Sequence, residues 1–293
     1  MNAWIRRAPP ESYFVVSAIF HYLGPSFAVL LFARVGVLGV AWLRIASAAV
    51  VFALWRRPWR GFLRLDRDGR LLIVGLGAVF AVMNACFYLA IDRMPLGTVA
   101  AIEFLGPVVL ALAGARTARN VLAVGLAAGG VYLLTRVRLE GQPLGVLFAF
   151  LNAALFSLYI VLAHRVSRRG MMGGIDGLGA AMLVAVLFVT PIGGWNVVHV
   201  AGDPVAFAAG AGVGVSSSVI PYVFDQLALA RLARATYALL VALLPATATA
   251  IGVVVLRQIP SAVDVFGVAL VMAAVALHRE PDLTEAPLPA LQQ

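Results

Sequence analysis

Residues 89–107 read LAIDRMPLGTVAAIEFLGP, and residues 227–245 read LALARLARATYALLVALLP. At a constant offset of 138, Leu89, Ala90, Arg93, Thr98 and Pro107 fall on Leu227, Ala228, Arg231, Thr236 and Pro245. The match is local and then drifts: Gly125 meets Gly267 only if about four residues are inserted after the second proline. Both stretches lie in apolar runs, and internal duplication of such runs marks membrane proteins built from repeated halves.

Working outward from these stretches, apolar runs read against their breakers predict ten spans. They fall at about 14–32, 36–55, 71–91, 95–115, 119–136, 143–163, 174–195, 205–229, 234–256 and 262–278. Composition agrees with that reading. Of 293 residues, 62% are hydrophobic and 12% charged, with a mean hydropathy of +0.98, whereas soluble domains carry roughly 25% charged residues. A water-soluble enzyme or nucleic-acid binder is excluded, and ten spans leave no room for a soluble domain. The first run, behind Arg6, Arg7 and Glu11, lacks a small-residue cleavage site and reads as a retained span. The single cysteine, Cys86, excludes an internal disulfide and reads as a packing residue.

All 22 basic residues are arginine. With the N-terminus inside, the inner connections and termini hold sixteen: Arg6, Arg7, Arg56, Arg57, Arg60, Arg64, Arg67, Arg70, Arg116, Arg119, Arg165, Arg168, Arg169, Arg231, Arg234 and Arg279. The outer ones hold five, namely Arg34, Arg93, Arg136, Arg138 and Arg257. That asymmetry predicts cytoplasmic termini. It also accounts for the net charge of +9 without a nucleic-acid partner. Five spans per repeat is an odd number, so the halves must cross in opposite senses. Residues 1–140 are then the first half, 141–280 the second, and 281–293 a disordered cytoplasmic tail.

Ionisable and polar residues inside spans are costly, and their default reading is functional. Glu103, in AAIEFLGP, lies about eight residues from either end of its span. It reads either as a coupling or substrate-binding acid or as a structural hydrogen-bond partner, with Arg44 the candidate partner. Arg44 itself either snorkels outward or pairs with an internal acid. Ser218, Tyr222 and Asp225 follow at steps of four and three on one helical face. Asp225 reads as a second coupling candidate or as an acid reaching the nearby interface. Asn84 with Tyr88, and Asn152 with Phe156 and Tyr159, form amide–aromatic stripes. Ser17 and His21 lie one turn apart; the histidine is a helix-to-helix donor or a proton relay. Pro107, Pro221 and Pro245 remove backbone donors within spans and are gating candidates.

No GxxxxGK[ST], HExxH or GxSxG occurs in the sequence. The chain is therefore expected to be no enzyme and no ATP-driven pump, with no cofactor and no metal.

Residues 35–60 (VGVLGVAWLRIASAAVVFALWRRPWR), 83–107 (MNACFYLAIDRMPLGTVAAIEFLGP) and 216–240 (SSSVIPYVFDQLALARLARATYALL) resemble the EamA-type exporters of the drug/metabolite transporter superfamily. Within it they look most like threonine/homoserine exporters, with aromatic amino-acid exporters as relatives. The resemblance covers about residues 14–278. It implies an all-α integral membrane fold of ten helices, arranged as two inverted five-helix repeats around a central cavity, and efflux of amino acids or similar metabolites. Two positions depart from the family: Leu256, Arg257 and Gln258 stand where many members carry Gly-Glu, and Leu244 stands where an acid often precedes the second proline. The weight of any acid-based mechanism then falls on Glu103 and Asp225.

Together these readings predict an inner-membrane exporter of amino acids or related metabolites. It would work by alternating access as a monomer in lipid, driven by a proton gradient or by the substrate's own gradient. Its binding site would be lined by His21, Arg44, Asn84, Tyr88, Glu103, Asn152, Tyr159, Ser218, Tyr222 and Asp225. The alternatives are a broad-specificity or aromatic amino-acid exporter, and, from another class, a channel or a non-transporting membrane assembly protein.

Overall fold

The computed structural model describes residues 9–277 apart from 115, 169, 171, 173, 201, 230 and 233, and no strand occurs among the described residues. The predicted tail at 281–293 lies outside them. Helices follow the apolar runs because lipid offers no partner for backbone N–H and C=O groups. In order they are α1 (Pro10–Val35), α2 (Val37–Arg56), α3 (Arg67–Ile91), α4a (Leu96–Glu103) with α4b (Leu105–Gly114), α5 (Ala118–Gly141) and α6 (Pro143–Arg168). There follow α7 (Gly174–Val189), α8a (Pro204–Gly214) with α8b (Ile220–Leu229), α9a (Arg234–Val241) with α9b (Leu244–Leu256), and α10 (Ala262–Leu277). Eight stretches are long and apolar enough to cross a membrane, and two shorter apolar helices, Leu96–Leu110 and Ala262–Leu277, accompany them. The chain is a multi-pass membrane protein.

The predicted spans at 95–115, 174–195, 205–229 and 234–256 are not uniform α-helices. Residues Thr190–Gly194 and Val215–Val219 form π-helical turns. The remaining two spans break. In the first, α4a ends at Glu103, Phe104 is a turn and α4b begins at Leu105. In the second, α9a ends at Val241 and α9b begins at Leu244. Each break lies one turn before a proline, Pro107 or Pro245, whose ring crowds the carbonyl four residues back and offers it no N–H. Those carbonyls belong to Glu103 and Val241, which the offset of 138 pairs.

The principal packing is also paired. α3 lies on α6 as α8 lies on α1, α3 on α7 as α8 on α2, and α4 on α6 as α9 on α1, while α5 meets α10, α4 meets α9 and α2 meets α7. Exchanging α1–α5 for α6–α10 returns the same set.

Ties between helix ends fall into two groups. Arg34 at the end of α1 pairs with Asp203, the N-cap of α8a, at 2.6 Å. The Ala206 N–H, and then Arg34, hold the Asp203 carboxyl below the usual carboxylate range. In the first group too, the Leu96 N–H donates to Gln258 Oε1 at 3.0 Å, and Arg93 lies 5.7 Å from the Phe148 ring centroid. The other group joins Arg56 at the end of α2 to Asp176 at 2.7 Å, Arg231 to the Tyr13 hydroxyl at 2.8 Å, and the Arg119 Nε to the Leu277 carbonyl.

The core between helices is rich in small side chains. Ala100, Ala101, Ala123, Ala127, Ala149, Ala248 and Ala274 are fully buried, which lets backbones approach closely where lipid supplies no hydrophobic drive. Cys86 is buried and unbridged, as its apolar setting predicts.

Candidate functional site

Arg44 occupies the third turn of α2 and is 5% exposed. Its Nε donates to Ser218 Oγ at 3.0 Å and its Nη2 to the Ser217 carbonyl at 3.1 Å. Pro221 withholds the N–H that an α-helical turn would offer that carbonyl, so the guanidinium serves an acceptor exposed by the chain's own proline. The approach requires glycine. A Cβ on Gly214 would stand 1.8 Å from Ser47 Oγ and 2.5 Å from the Arg44 carbonyl, and one on Gly24 2.4 Å from Ser217 Cβ. The π-turn of α8 is therefore wedged between α1 and α2.

The two expected environments of Arg44 are both corrected. It is buried and does not snorkel, and among the described residues no carboxylate reaches the 4.0 Å of an ion pair with it. Two acceptors, the Ser218 hydroxyl and the Ser217 carbonyl, hold the cation instead, with the Tyr88 ring centroid 5.5 Å from Cζ.

Glu103 is the last residue of α4a, at the break. The expected partner Arg44 lies within electrostatic range, but the hydrogen bond comes from elsewhere: Asn152 Nδ2 donates to Glu103 Oε2 at 3.2 Å. Asn152 is fully buried, and its Oδ1 has no hydrogen-bond partner. The Tyr88 hydroxyl is likewise buried near Arg44 and Ser217 without a well-formed bond to either. Buried polar atoms left without partners are few in native proteins and call for a reason.

Asp225, on α8b, lies near the Ser17 hydroxyl, whose proton goes to the Pro221 carbonyl at 3.1 Å. Tyr22 is within electrostatic range of both Glu103 and Asp225, and Tyr222 within range of Arg44, Glu103 and Asp225. Tyr159 stacks on Phe156 with centroids 6.2 Å apart, and Phe80 touches the rings of both Tyr159 and Tyr222. His21 packs edge-on against Tyr22 at 5.3 Å and senses the charge of Arg44.

Of the ten predicted residues, Arg44, Asn84, Tyr88, Asn152 and Ser218 are buried, while His21, Glu103, Tyr159, Tyr222 and Asp225 keep a partly exposed face. Asn84 spends its amide N–H on its own helix, donating to the Phe80 carbonyl at 2.8 Å. Ser217 and Tyr22 belong to the group although sequence reasoning did not assign them. The triple serine ahead of Pro221 was the available signal for Ser217. A cavity of about 180 Å³ opens away from this group, at the start of α4a against α9b and α10. Thr98, Thr249, Gln258 and Asp264 line it, and none of the predicted residues does.

This geometry can be set beside known proteins. The EamA-like transporter family matches residues 143–279. Threonine/homoserine exporter RhtA of Salmonella typhimurium LT2 is 30% identical over 277 residues, covering 89% of this chain and 90% of that protein. The chain belongs to the EamA-like transporter family. RhtA of Escherichia coli K12 is 29% identical over 254 residues, with 86% of this chain and 84% of that protein covered. Among solved structures, one crystal structure aligns over 91% of this chain and 96% of its own with a TM-score of 0.54. At 18% identity that likeness speaks for the fold alone. Members of this family are transporters of the drug/metabolite class.

Proposed function

We propose that this EamA-family protein exports amino acids or related zwitterionic metabolites across the inner membrane by alternating access. The observation that carries the reading is a buried cation and a midplane acid that are not paired with each other. Arg44 and Glu103 sense one another, yet each is held by neutral partners, Ser217 and Ser218 on one side and Asn152 on the other. An uncompensated buried charge costs several kcal/mol. A zwitterion neutralises both at once, its carboxylate on Arg44 with the Tyr88 hydroxyl as an added donor, its ammonium on Glu103 with the Asn152 Oδ1 as an added acceptor. Tyr159, Tyr222, His21 and Ser218 would flank the side chain, with Asn84 behind Tyr88.

The architecture that goes with this reading is ten crossings in two inverted halves, residues 1–140 and 141–280, working as a monomer. Strict alternation of ten crossings puts Arg34–Asp203, Leu96–Gln258 and Arg93–Phe148 at one face, and Arg56–Asp176, Arg231–Tyr13 and Arg119–Leu277 at the other. No tie is left spanning the bilayer. The arginine asymmetry then makes the second face cytoplasmic, with both termini. The breaks after Glu103 and Val241 bring discontinuous helices to the site, as alternating access between repeats requires. Pro107, Pro221 and Pro245 are the hinges. Glu103, with Asp225 toward the cytoplasm, is the carrier of coupled protons if the cycle is proton-driven; efflux down the substrate's own gradient is the alternative drive.

A second reading, export of aromatic or broadly amphipathic solutes, is favoured by the aromatic group of Phe80, Phe156, Tyr159 and Tyr222 beside Asp225. Counterflow in proteoliposomes decides among these. Preloaded threonine or homoserine should accelerate uptake of the labelled compound, and phenylalanine or tyrosine should do so under the second reading. Flux without saturation or counterflow would identify a channel, and no flux of any amino acid would remove both exporter readings.

A further inference from the structure

The connection between α2 and α3 carries more positive charge than the protein uses. It contains Arg56, Arg57, Arg60, Arg64, Arg67 and Arg70 against Asp66 and Asp68. Arg56 is paired with Asp176, and the Arg70 Nη2 donates to the Leu63 carbonyl. Asp66 is occupied as the N-cap of α3, accepting from the Gly69 N–H. The side chains of Arg57, Arg60, Arg64 and Arg67 are exposed and, among the described residues, have no ion pair, hydrogen bond or ring contact.

The same segment exposes large apolar side chains. Trp55 is 54% exposed, Trp59 41% and Leu63 63%. Residues Trp59–Phe62 form a helical turn that continues through the Leu63 and Arg64 N–H groups, which donate to the Trp59 and Gly61 carbonyls. Trp59 with Leu63, and Arg60 with Arg64, are therefore each four residues apart and make two adjoining stripes. The turn is anchored from beneath. Pro58 is buried against Gly179, and Gly61 lies so close to Met172 that a Cβ there would meet its methyl at 2.7 Å. The stripes are thus presented by a fixed backbone at the membrane end of α2.

The positive-inside rule explains charge in this loop but not tryptophan and leucine exposed beside it. An apolar stripe and a cationic stripe on one short turn are what a lipid interface selects, the rings at headgroup depth and the guanidiniums at the phosphates. Arginine binds a phosphate through two parallel N–H groups, which lysine cannot do. We propose that this turn is a binding site for the headgroup of an anionic phospholipid, with Trp59 and Leu63 entering the acyl boundary and Arg57, Arg60, Arg64 and Arg67 holding the phosphate. The proposal needs the membrane and is independent of the transported solute.

The test uses the full chain in nanodiscs of equal parts phosphatidylcholine and phosphatidylglycerol with matched acyl chains, read by native mass spectrometry. Wild type should retain phosphatidylglycerol preferentially. Replacing Arg60 and Arg64 with glutamine should reduce that preference by about fivefold per residue. Arg60→Lys with Arg64→Lys keeps loop charge and insertion, and should still lose most of the preference because the paired N–H geometry is gone. Trp59→Ala with Leu63→Ala should weaken retention of the lipid although all six arginines of the loop remain. Equal retention of the two lipids by wild type overturns the proposal. So does full retention in the glutamine variant, or displacement of the lipid by millimolar inorganic phosphate, which would make the loop a site for soluble anions.

Discussion

Asn152 on α6 donates to the Glu103 carboxylate at the point where α4 breaks, and among the described residues that acid receives no other hydrogen bond. The two residues are 49 positions apart, and the bond ties the first half of the chain to the second. Replacing Glu103 with glutamine preserves shape and hydrogen bonding and removes titration. Glu103→Gln should insert and fold normally yet lose most pH-gradient-driven transport, measured as labelled amino-acid flux in proteoliposomes with and without an imposed gradient. Undiminished gradient-driven flux would move the coupling role to Asp225.

Arg44→Ala leaves the Ser217 carbonyl and the Ser218 hydroxyl without their donor, at about 1–3 kcal/mol. The unfolding temperature in detergent should fall. Arg44→Lys keeps the charge but cannot reach both acceptors in the fork geometry of a guanidinium. Its affinity for a zwitterion should drop at least tenfold in a binding titration while affinity for the decarboxylated amine changes little. An equal loss for both compounds would show that Arg44 supports the site without meeting the carboxylate.

Pro107→Ala restores the N–H that the Glu103 carbonyl lacks, so α4 should close its break. Proline in a helix interior costs about 3 kcal/mol relative to alanine. Thermal stability should rise and turnover should fall, and Pro245→Ala, acting at the equivalent break before α9b, should do the same. Faster transport by either variant would argue that the breaks are not hinges.

Cells overproducing the protein should tolerate toxic analogues of threonine or homoserine better than control cells, read as growth inhibition. A buried arginine beside the Glu103 carboxyl suits a zwitterion better than a lipophilic cation, for which denser aromatic walls are expected. Protection confined to dyes and quaternary amines would contradict the amino-acid reading.

Reporter fusions at Gly61 and at both termini should give a cytoplasmic signal, since under ten crossings the termini and the connections on their side carry sixteen of the 22 arginines. A periplasmic signal at Gly61 would exclude ten crossings in this orientation.

Much of the fold was legible because membrane insertion acts on single segments. A run such as 143–163 is apolar enough to be a span whatever it packs against, and the helix observed there, Pro143–Arg168, starts at the same residue and runs on by five at its C-terminal end. The break in α4 was foreshadowed by Pro107, because a missing N–H is a property of one residue and its own helix. The π-turn at Val215–Val219 was not foreshadowed. Ser216 and Ser217 donate to the Val213 carbonyl in the preceding turn, a bond an ordinary α-helix also allows, and nothing local requires the wider helical register.

The sequence by itself determined that this chain lives in a membrane, where its apolar helices run and which polar residues lie within its apolar runs. These follow from transfer to lipid and from backbone chemistry, both summed along the chain. Tertiary structure decided which of those polar residues meet. Arg44 was expected to seek water or an acid and instead found Ser217 and Ser218; Glu103, read as a coupling or substrate acid or as a structural partner with Arg44 the candidate, found Asn152. A helix presents a polar side chain in a direction, but the partner depends on which helix faces it and how closely, and here that is settled by the approach of α8 to α2 at Gly214 and by the packing of α4 on α6.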